Sequence, residues 1–241
     1  MKNLFYSFLL LLLSFTFISA GTINSQSIYG DGNVVKESRT VSSFDKIEIN
    51  GVVNVYLKQG SSESAVIEAD KNLVPYILTS VKNGTLTIST KEDFNLKKST
   101  KLNVYVTLTN LTDLECNSVG NVKTESKLDL NNVNIENNSV GNIDLELDCN
   151  KLTLENNSVG NSTLSGNIDI GNIEHNGVGN IKAFDLKADV LTIESNAVGN
   201  AEVSSEREIY IELNGMGNIN YKGAAAVKKL EKNGLGNIKK N

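Results

Sequence analysis

Apolar and polar residues alternate with a period of two through most of the chain. Leu152 and Leu154 point one way while Thr153 and Glu155 point the other, and the stretch 143–148 alternates leucine or isoleucine with acidic residues in the same manner. This is the periodicity of a β-strand, and no segment of the repeats shows the wider apolar stripe of a helix. The pattern predicts an all-β protein.

One eight-residue phrase recurs in this pattern, with the form [Leu/Ile]-Glu-x-Asn-x-[Val/Met/Leu]-Gly-Asn. Its central glycines are separated by 21, 19, 19, 20, 18 and 19 residues, and they are Gly120, Gly141, Gly160, Gly179, Gly199, Gly217 and Gly236. A short, regular period of this kind is typical of a solenoid, in which each coil buries its inner face only by stacking on its neighbours. We predict a parallel β-helix with coils of about 19 residues, right-handed by the crossover rule.

Stacked coils place equivalent residues in columns. We predict one inward column from the leucine or isoleucine that opens each phrase: Leu114, Ile135, Leu154, Ile173, Ile193, Ile211 and Leu230. We predict a second inward column of Val119, Val140, Val159, Val178, Val198, Met216 and Leu235. The glycine that follows is expected at a corner, where it provides either a positive φ or a close backbone approach.

The last residue of the phrase is always asparagine, and stacked asparagines form amide ladders in which each side chain bonds the next. The predicted structural ladder consists of Asn121, Asn142, Asn161, Asn180, Asn200, Asn218 and Asn237.

The N-terminal part is less regular. Residues 47–54 are a variant of the phrase with valine in the glycine position, so the solenoid is expected to begin there. Asn83-Gly84 between two apolar segments predicts a β-hairpin. We expect a short helical turn at 72–77 and a polar loop at 91–100. The predicted organisation is one β-helix domain over 44–241, with irregular coils and hairpins in 44–110 and regular repeat coils in 111–241.

The chain starts with a segment typical of a secretory signal. Residues 1–20 combine Lys2, an apolar core and a small-residue cleavage site, and residues 21–43 are expected to be a linker or first strand. No later hydrophobic span is present, so no integral membrane segment is expected after cleavage. We predict an exported protein, located in the periplasm, on the outer cell surface or in the medium.

Charge and cysteine content narrow the partners. The formal net charge is −5 and the lysines are scattered, which disfavours nucleic acid as a partner. Cys116 and Cys149 are either a disulfide formed after export or two free buried thiols. His175 is the single histidine, and without a recurring catalytic partner it is expected to be structural. We predict no catalytic residue and no cofactor.

A glutamate column follows from the same repeat. Outward-facing carboxylates are predicted at Glu115, Glu136, Glu155, Glu174, Glu194, Glu212 and Glu231, with Glu48 in the variant phrase. One interpretation is a solvated face whose charges are screened by salt. The alternative is a weak divalent-cation strip, because calcium prefers clustered carboxylate and amide oxygens.

The [Val/Ile]-Gly-Asn-Ile phrases, the leader and the opening Phe44–Val52, continued by Val55–Gly60, resemble the auto-transporter adhesin head GIN domain family, DUF2807. The resemblance covers residues 40–237. It implies a β-helix and an exported, cell-surface or periplasmic location, and it supplies no catalytic residues.

Two classes of function remain open. The first is a non-enzymatic surface or envelope protein, an adhesin or binding scaffold that offers an extended face to a protein or glycan partner. The alternative is a polysaccharide-active lyase or hydrolase, for which Asp144, Glu146 and Asp148 provide acidic groups on one strand face. Self-association through the terminal coil is a further possibility, since an uncovered rung is a template for pairing.

Overall fold

The computed structural model describes residues 27–92 and 94–241, so the predicted signal segment lies outside the described residues. The N-terminal strands are β1 (Ser27–Tyr29), β2 (Val34–Arg39), β3 (Lys46–Gly51), β4 (Asn54–Gln59), β5 (Ser64–Asp70), β6 (Ile77–Lys82), β7 (Thr85–Thr90), β8 (Asn95–Lys98) and β9 (Leu102–Leu108). The repeat strands are β10 (Asp113–Ser118), β11 (Val122–Thr124), β12 (Leu128–Asn137), β13 (Ile143–Asn156), β14 (Ser162–His175), β15 (Ile181–Ser195), β16 (Ala201–Leu213), β17 (Ile219–Lys222), β18 (Ala226–Lys232) and β19 (Ile238–Lys240).

The repeat strands stack in parallel and in register. Between β13 and β14, for example, Leu154 pairs with Ile173 and Glu155 with Glu174. The same phrase positions pair between the successive coils from β10 to β18. The prediction of a β-solenoid is confirmed, with about seven turns spaced by ~19 residues.

The core is the inside of this stack. The opening leucine or isoleucine of each phrase from Leu114 to Ile211 is buried, as predicted. Leu230 continues the column but is half exposed, because in the described chain no rung lies over β18.

The N-terminal region closes the stack with antiparallel strands. β5 pairs antiparallel with β9 and with β2, and β6 pairs antiparallel with β7. The predicted hairpin at Asn83-Gly84 is confirmed, since both residues have positive φ (52° and 78°), as a tight hairpin turn requires. The predicted helical turn is also confirmed as a 3-10 turn at Val74–Tyr76.

The prediction of a loop over 91–100 was wrong in part. Asn95–Lys98 forms β8, which pairs in parallel with β1 in a separate two-stranded sheet. The polar composition of this segment concealed the strand, because a short edge strand buries few side chains and shows little apolar alternation.

The prediction that the valine column faces inward was wrong. Val119, Val140, Val159 and Val178 are each 58–59% exposed. The alternation that buries Leu114 continues through the phrase, so it buries the second and fourth residues that follow and turns the fifth outward. The hydrophobicity of valine therefore predicted the wrong direction for this side chain. Counting the alternation from Leu114, an even number of residues inward and an odd number outward, predicts the right one.

The inward positions include a polar column that was not predicted to be buried. Asn137, Asn156 and His175 are fully buried on successive rungs, and Ser195 lies over His175. Asn137 Nδ2 donates to Asn156 Oδ1 (2.8 Å), and Asn156 Nδ2 lies 3.1 Å from His175 Nδ1. The expected structural role of His175 agrees with this position inside the stack.

The corner glycines are required by close backbone approach. A Cβ on Gly179 would lie 1.7 Å from the carbonyl oxygen of Gly160, one rung below, and the same overlap recurs at the other corners. These glycines do not have positive φ. Of the two reasons expected for glycine at the corner, the close backbone approach is therefore the one that applies.

Cys116 and Cys149 are free and buried, so they form no disulfide. Burial raises the pKa of each thiol to about 12. Within the described part of the chain, no helix is long and apolar enough to cross a membrane.

Candidate functional site

The exposed valine column forms a continuous apolar ridge along one corner of the solenoid. This corner ridge consists of Val119, Val140, Val159, Val178, Val198, Met216 and Leu235. Its seven side chains are more than half exposed, with Leu235 the most exposed at 84%. Six steps at the usual strand spacing of about 4.8 Å give the ridge a length of roughly 29 Å.

Two files of asparagine flank the ridge. The residue two positions before each ridge residue belongs to the first amide ladder, namely Asn117, Asn138, Asn157, Asn176, Asn196, Asn214 and Asn233, and Asn50 of the variant phrase extends the ladder by one rung. In this ladder each Nδ2 donates to the Oδ1 one rung earlier, at 2.9–3.1 Å. This ladder was missed, although the first asparagine of the repeated phrase is its signal in the sequence.

The second amide ladder lies on the other side of the ridge and contains the asparagines predicted for a structural ladder. From Asn121 to Asn218, each Nδ2 donates to the Oδ1 one rung earlier, at 2.9–3.5 Å. From Asn121 to Asn237, each backbone N–H donates to the same oxygen, at 2.9–3.2 Å. Each Oδ1 along the ladder is therefore held by the next rung, which orders the edge of the ridge.

The glutamate column lies beside the first amide ladder. From Glu48 to Glu212, each Oε1 accepts a hydrogen bond from the asparagine two residues later, at 2.5–3.3 Å. Lys229 pairs with Glu212 and Glu231 at the C-terminal end. Elsewhere in the column, within residues 27–92 and 94–241, no lysine or arginine comes within salt-bridge distance of a glutamate.

A groove of about 490 Å³ opens at the N-terminal end of the glutamate column. Lys46, Asp113, Glu115 and Glu136 are among its lining residues, and Lys46 Nζ lies 3.1 Å from Asp113 Oδ2. Burial acts to raise the pKa of Asp113, but hydrogen bonds from Thr112, Lys46 and Asn134 outweigh it, so the pKa is lowered. The groove therefore carries an ionised acid, beside apolar lining residues such as Ile47 and Leu114.

The residues considered for polysaccharide chemistry are largely neutralised by lysine. Asp144 lies 2.7 Å from Lys123 Nζ, and Asp148 lies 2.5 Å from Lys127 Nζ. The hydrogen bond from Lys127 is the largest of the effects that lower the pKa of Asp148. A general acid needs a raised pKa at neutral pH, so Asp148 has the opposite property.

The residues that the structure describes contain no group of three or more His, Cys, Asp or Glu side chains arranged to hold a metal ion. The glutamates are spaced along a line, one per rung, rather than gathered around a point. Cation binding by this column stays a prediction, and millimolar calcium in a calorimeter, with a melting curve alongside, measures it.

The family comparison fits this arrangement. The model of the "putative auto-transporter adhesin, head GIN domain" family, DUF2807, matches residues 43–225. The chain belongs to the DUF2807 family. That match spans every coil from β3 to β17, and so includes the ridge residues from Val119 to Met216.

Solved structures share the fold. A putative adhesin from Bacteroides fragilis is 30% identical with a TM-score of 0.84, and the match covers 89% of this chain and 100% of that one. A putative adhesin from Parabacteroides distasonis is 24% identical (TM-score 0.65), with 90% of this chain and 100% of that one covered. A putative lipid binding protein from the same species is 22% identical (TM-score 0.70, the same coverage). The last two similarities show the fold alone. None of the curated proteins matches the chain.

Proposed function

We propose that this DUF2807 protein is an exported, non-enzymatic binding scaffold of the cell surface or envelope, and that it contacts its partner along the corner ridge. The family and the adhesin from Bacteroides fragilis support a role in adhesion. The leader-like residues 1–20 support export.

The observation that carries the proposal is the exposure of the ridge. Scattered apolar side chains are normal on a protein surface, but a contiguous apolar file with polar borders marks an interaction site. Here valine or a larger apolar residue recurs at an outward position on seven successive rungs. Threonine would fill the same space in solvent without exposing a second methyl group, so folding alone does not call for valine.

The partner that fits is a protein with an elongated apolar groove. The ridge is convex, and its side chains are aliphatic, whereas a sugar platform uses aromatic rings on a concave site. The two amide ladders hold the edges of the ridge rigid, which reduces the entropy lost when a partner binds.

A polysaccharide-active enzyme is the less favoured alternative. The candidate catalytic acids are Asp113 in the groove and Asp148 on β13. Both aspartates have lowered pKa values. Neither offers the raised pKa of a catalytic acid. We further propose that the protein acts without a cofactor.

The test uses the whole exported chain on arrays of extracellular-matrix proteins, envelope proteins and glycans. The ridge variant carries Val140→Thr, Val159→Thr and Val178→Thr, which keep the branched shape and remove apolar surface. The control variant carries Lys182→Gln and Glu202→Gln, a pair of neighbouring residues on β15 and β16 away from the ridge. A protein ligand bound by the wild type and the control, and at least about tenfold more weakly by the ridge variant, supports the proposal.

Binding that all three proteins share equally would refute the ridge as the contact surface, and binding to glycans alone would refute a protein partner. Turnover of any member of a uronic-acid polymer and neutral glycan panel by the wild type would contradict the non-enzymatic assignment.

A further inference from the structure

The rung formed by β18 and β19 differs from the rungs beneath it in charge. Residues 226–241 contain five lysines and one glutamate, in a chain whose formal net charge is −5. All seven residues of β18 are exposed, and in the described chain β18 pairs only with β16 and β19 only with β17. One side of this rung therefore presents free backbone donors and acceptors.

Two of the lysines stand at inward positions of the stack. Lys232 lies over Leu213, which is fully buried, and Lys240 lies over Tyr221, which is 8% exposed. On every earlier rung of the repeats, the residue in the Lys232 column is neutral and buried, from Cys116 to Leu213. The rung thus replaces the neutral core by ammonium groups at two of its inward positions.

Two apolar side chains precede Lys232 in β18. Val227 lies over Ile209 and Leu230 over Ile211, and they are 42% and 50% exposed while the residues beneath them are fully buried. The surface presented by β18 is therefore apolar at two inward positions and cationic at the third.

These residues decide what can cover the rung. A neutral rung would bury the ammonium groups without partners, which is strongly unfavourable. The same rung of a second copy carries the same five lysines and one glutamate, so stacking the two would bring like charges together. Lysine on an edge is a common protection against such pairing. A strand with a carboxylate over Lys232 would instead pair with the backbone of β18 and neutralise the ammonium group of Lys232.

We propose that the β18–β19 rung is a docking edge for an extended acidic segment of a partner protein. The segment adds as one further rung by β-augmentation, with its backbone paired to β18. Apolar side chains two residues apart cover Val227 and Leu230, and an acidic side chain two residues later meets Lys232. The recognised pattern is apolar-x-apolar-x-acidic, which is the spacing of Ile209, Ile211 and Leu213 in β16. β18 itself has one extra residue between Val227 and Leu230, where its register with β16 shifts, so the docked strand follows the spacing of β16.

Three lysines on this rung are free to make such contacts. Lys228 and Lys229 already pair with Glu208, Glu212 and Glu231. Within the described residues, Lys232, Lys239 and Lys240 are in no salt bridge. This rung shares only Leu235 with the corner ridge. The test below changes no ridge residue, so its result is independent of the proposed function.

The test is a titration of the full chain into a fluorescein-labelled peptide, Glu-Ile-Thr-Ile-Thr-Glu-Asn, followed by anisotropy at low and high salt. A matched peptide carries lysine in place of both glutamates. The proteins are the wild type, the double variant Lys232→Glu with Lys240→Glu, and the control Lys239→Glu on the outward face of the same rung. All three changed residues are exposed, and circular dichroism verifies that the variants fold.

We expect the wild type and the control to prefer the acidic peptide by about tenfold or more, and salt to weaken that binding. The double variant is expected to prefer the lysine peptide. Absence of binding to the acidic peptide, or a preference that the double variant retains, would overturn the proposal. So would self-association of the wild type in light scattering, because a second copy would then occupy the edge.

Discussion

Asn103 Nδ2 donates a hydrogen bond to Glu68 Oε2 across 3.3 Å, and this contact ends the second amide ladder. The ladder runs rung by rung down to Asn121, then to Asn54 and Asn103, with every amide N–H pointing towards the N-terminal end. A carboxylate at that end accepts the last N–H of an aligned series of dipoles. Glu68 also accepts from Lys101 (3.0 Å) and Tyr105 (2.9 Å) and is 6% exposed.

Glu68→Gln is therefore expected to lower the free energy of unfolding by about 1–3 kcal/mol at neutral pH, because charge-assisted hydrogen bonds are lost in a buried place. Burial acts to raise the pKa of Glu68, but the bonds from Lys101, Tyr105 and Asn103 outweigh it, so the pKa is lowered. The stabilisation is present above the ordinary glutamate pKa and disappears as the pH falls below it. Urea unfolding of the wild type and Glu68→Gln at pH 7 and pH 3 measures the loss of stability and its pH dependence. The substitution of the exposed Glu37, Glu37→Gln, is the control. An equal loss of stability at the two pH values would contradict this role.

Asn161→Ala interrupts the second amide ladder in the middle of the stack. The side chain accepts from the backbone N–H (3.2 Å) and from Nδ2 (2.9 Å) of Asn180. Loss of these bonds is expected to cost about 1–2 kcal/mol in denaturant unfolding. Asn150→Ala removes an exposed amide with one long contact, 3.4 Å to Asn131, and should cost less than about 0.5 kcal/mol. Equal effects of the two substitutions would argue that the ladder adds nothing to stability.

We expect His175 to make the stability of the protein sensitive to mild acid. Burial lowers the pKa of His175, although hydrogen bonds with the backbone of Asn156 and Gly179 partly oppose it. Its column neighbours, Asn156 and Ser195, are neutral, and Nε2 has no hydrogen-bond partner among the described residues. Near and below the ordinary histidine pKa of about 6.5, His175 is protonated more fully in the unfolded chain than in the folded chain. Stability is therefore expected to fall by up to about 1.4 kcal/mol per pH unit as the pH decreases from 6.5.

The matched variant is His175→Asn, which continues the buried asparagine column. Its unfolding free energy should change less than that of the wild type between pH 7 and pH 5. Parallel pH profiles for the two proteins would show that His175 is not the group responsible.

Gly179→Ala tests the close approach of backbones at the corner. The new Cβ would overlap the carbonyl oxygen of Gly160, and backbone atoms of a stacked rung have little freedom to move. We expect a loss of about 3 kcal/mol in thermal or urea unfolding. Gly171→Ala is the control, because the nearest atoms to its new Cβ, Leu191 Cδ1 and Ile168 Cδ1, belong to flexible side chains. A smaller loss at Gly179 than at Gly171 would contradict the backbone explanation.

The repeat in the sequence was sufficient to predict most of the fold, but it predicted fewer features of the surface. Period-two alternation and seven copies of one phrase were sufficient to predict the solenoid and its inward leucines, and the Asn83-Gly84 dipeptide was sufficient to predict the hairpin. The direction of Val119 was mistaken because its hydrophobicity was given more weight than its parity relative to Leu114. β8 was missed because its partner, β1, lies far away in sequence and both strands are short.

The buried polar column was harder to see from sequence. Cys116, Asn137, Asn156, His175 and Ser195 comprise four residue types, so the variable position did not stand out in the sequence as one buried column. The period-two alternation again places this column inside, because its residues lie two positions after each buried opening leucine or isoleucine. From Asn137 to His175 the side chains of neighbouring rungs bond to one another, a relation that appears only when the rungs are stacked. His175 Nε2 and Ser195 Oγ have no hydrogen-bond partner among the described residues.

Stacked rungs with an outward corner ridge are tested most directly by distances along the ridge. Nitroxide labels are attached to Val140→Cys with Val178→Cys, and to Val119→Cys with Val198→Cys, in a chain with Cys116→Ala and Cys149→Ala. Electron paramagnetic resonance should give full labelling and separations of about 10 Å for two rungs and about 19 Å for four. Sites that resist labelling until the protein is unfolded, or separations that do not grow with the number of rungs, would contradict the account.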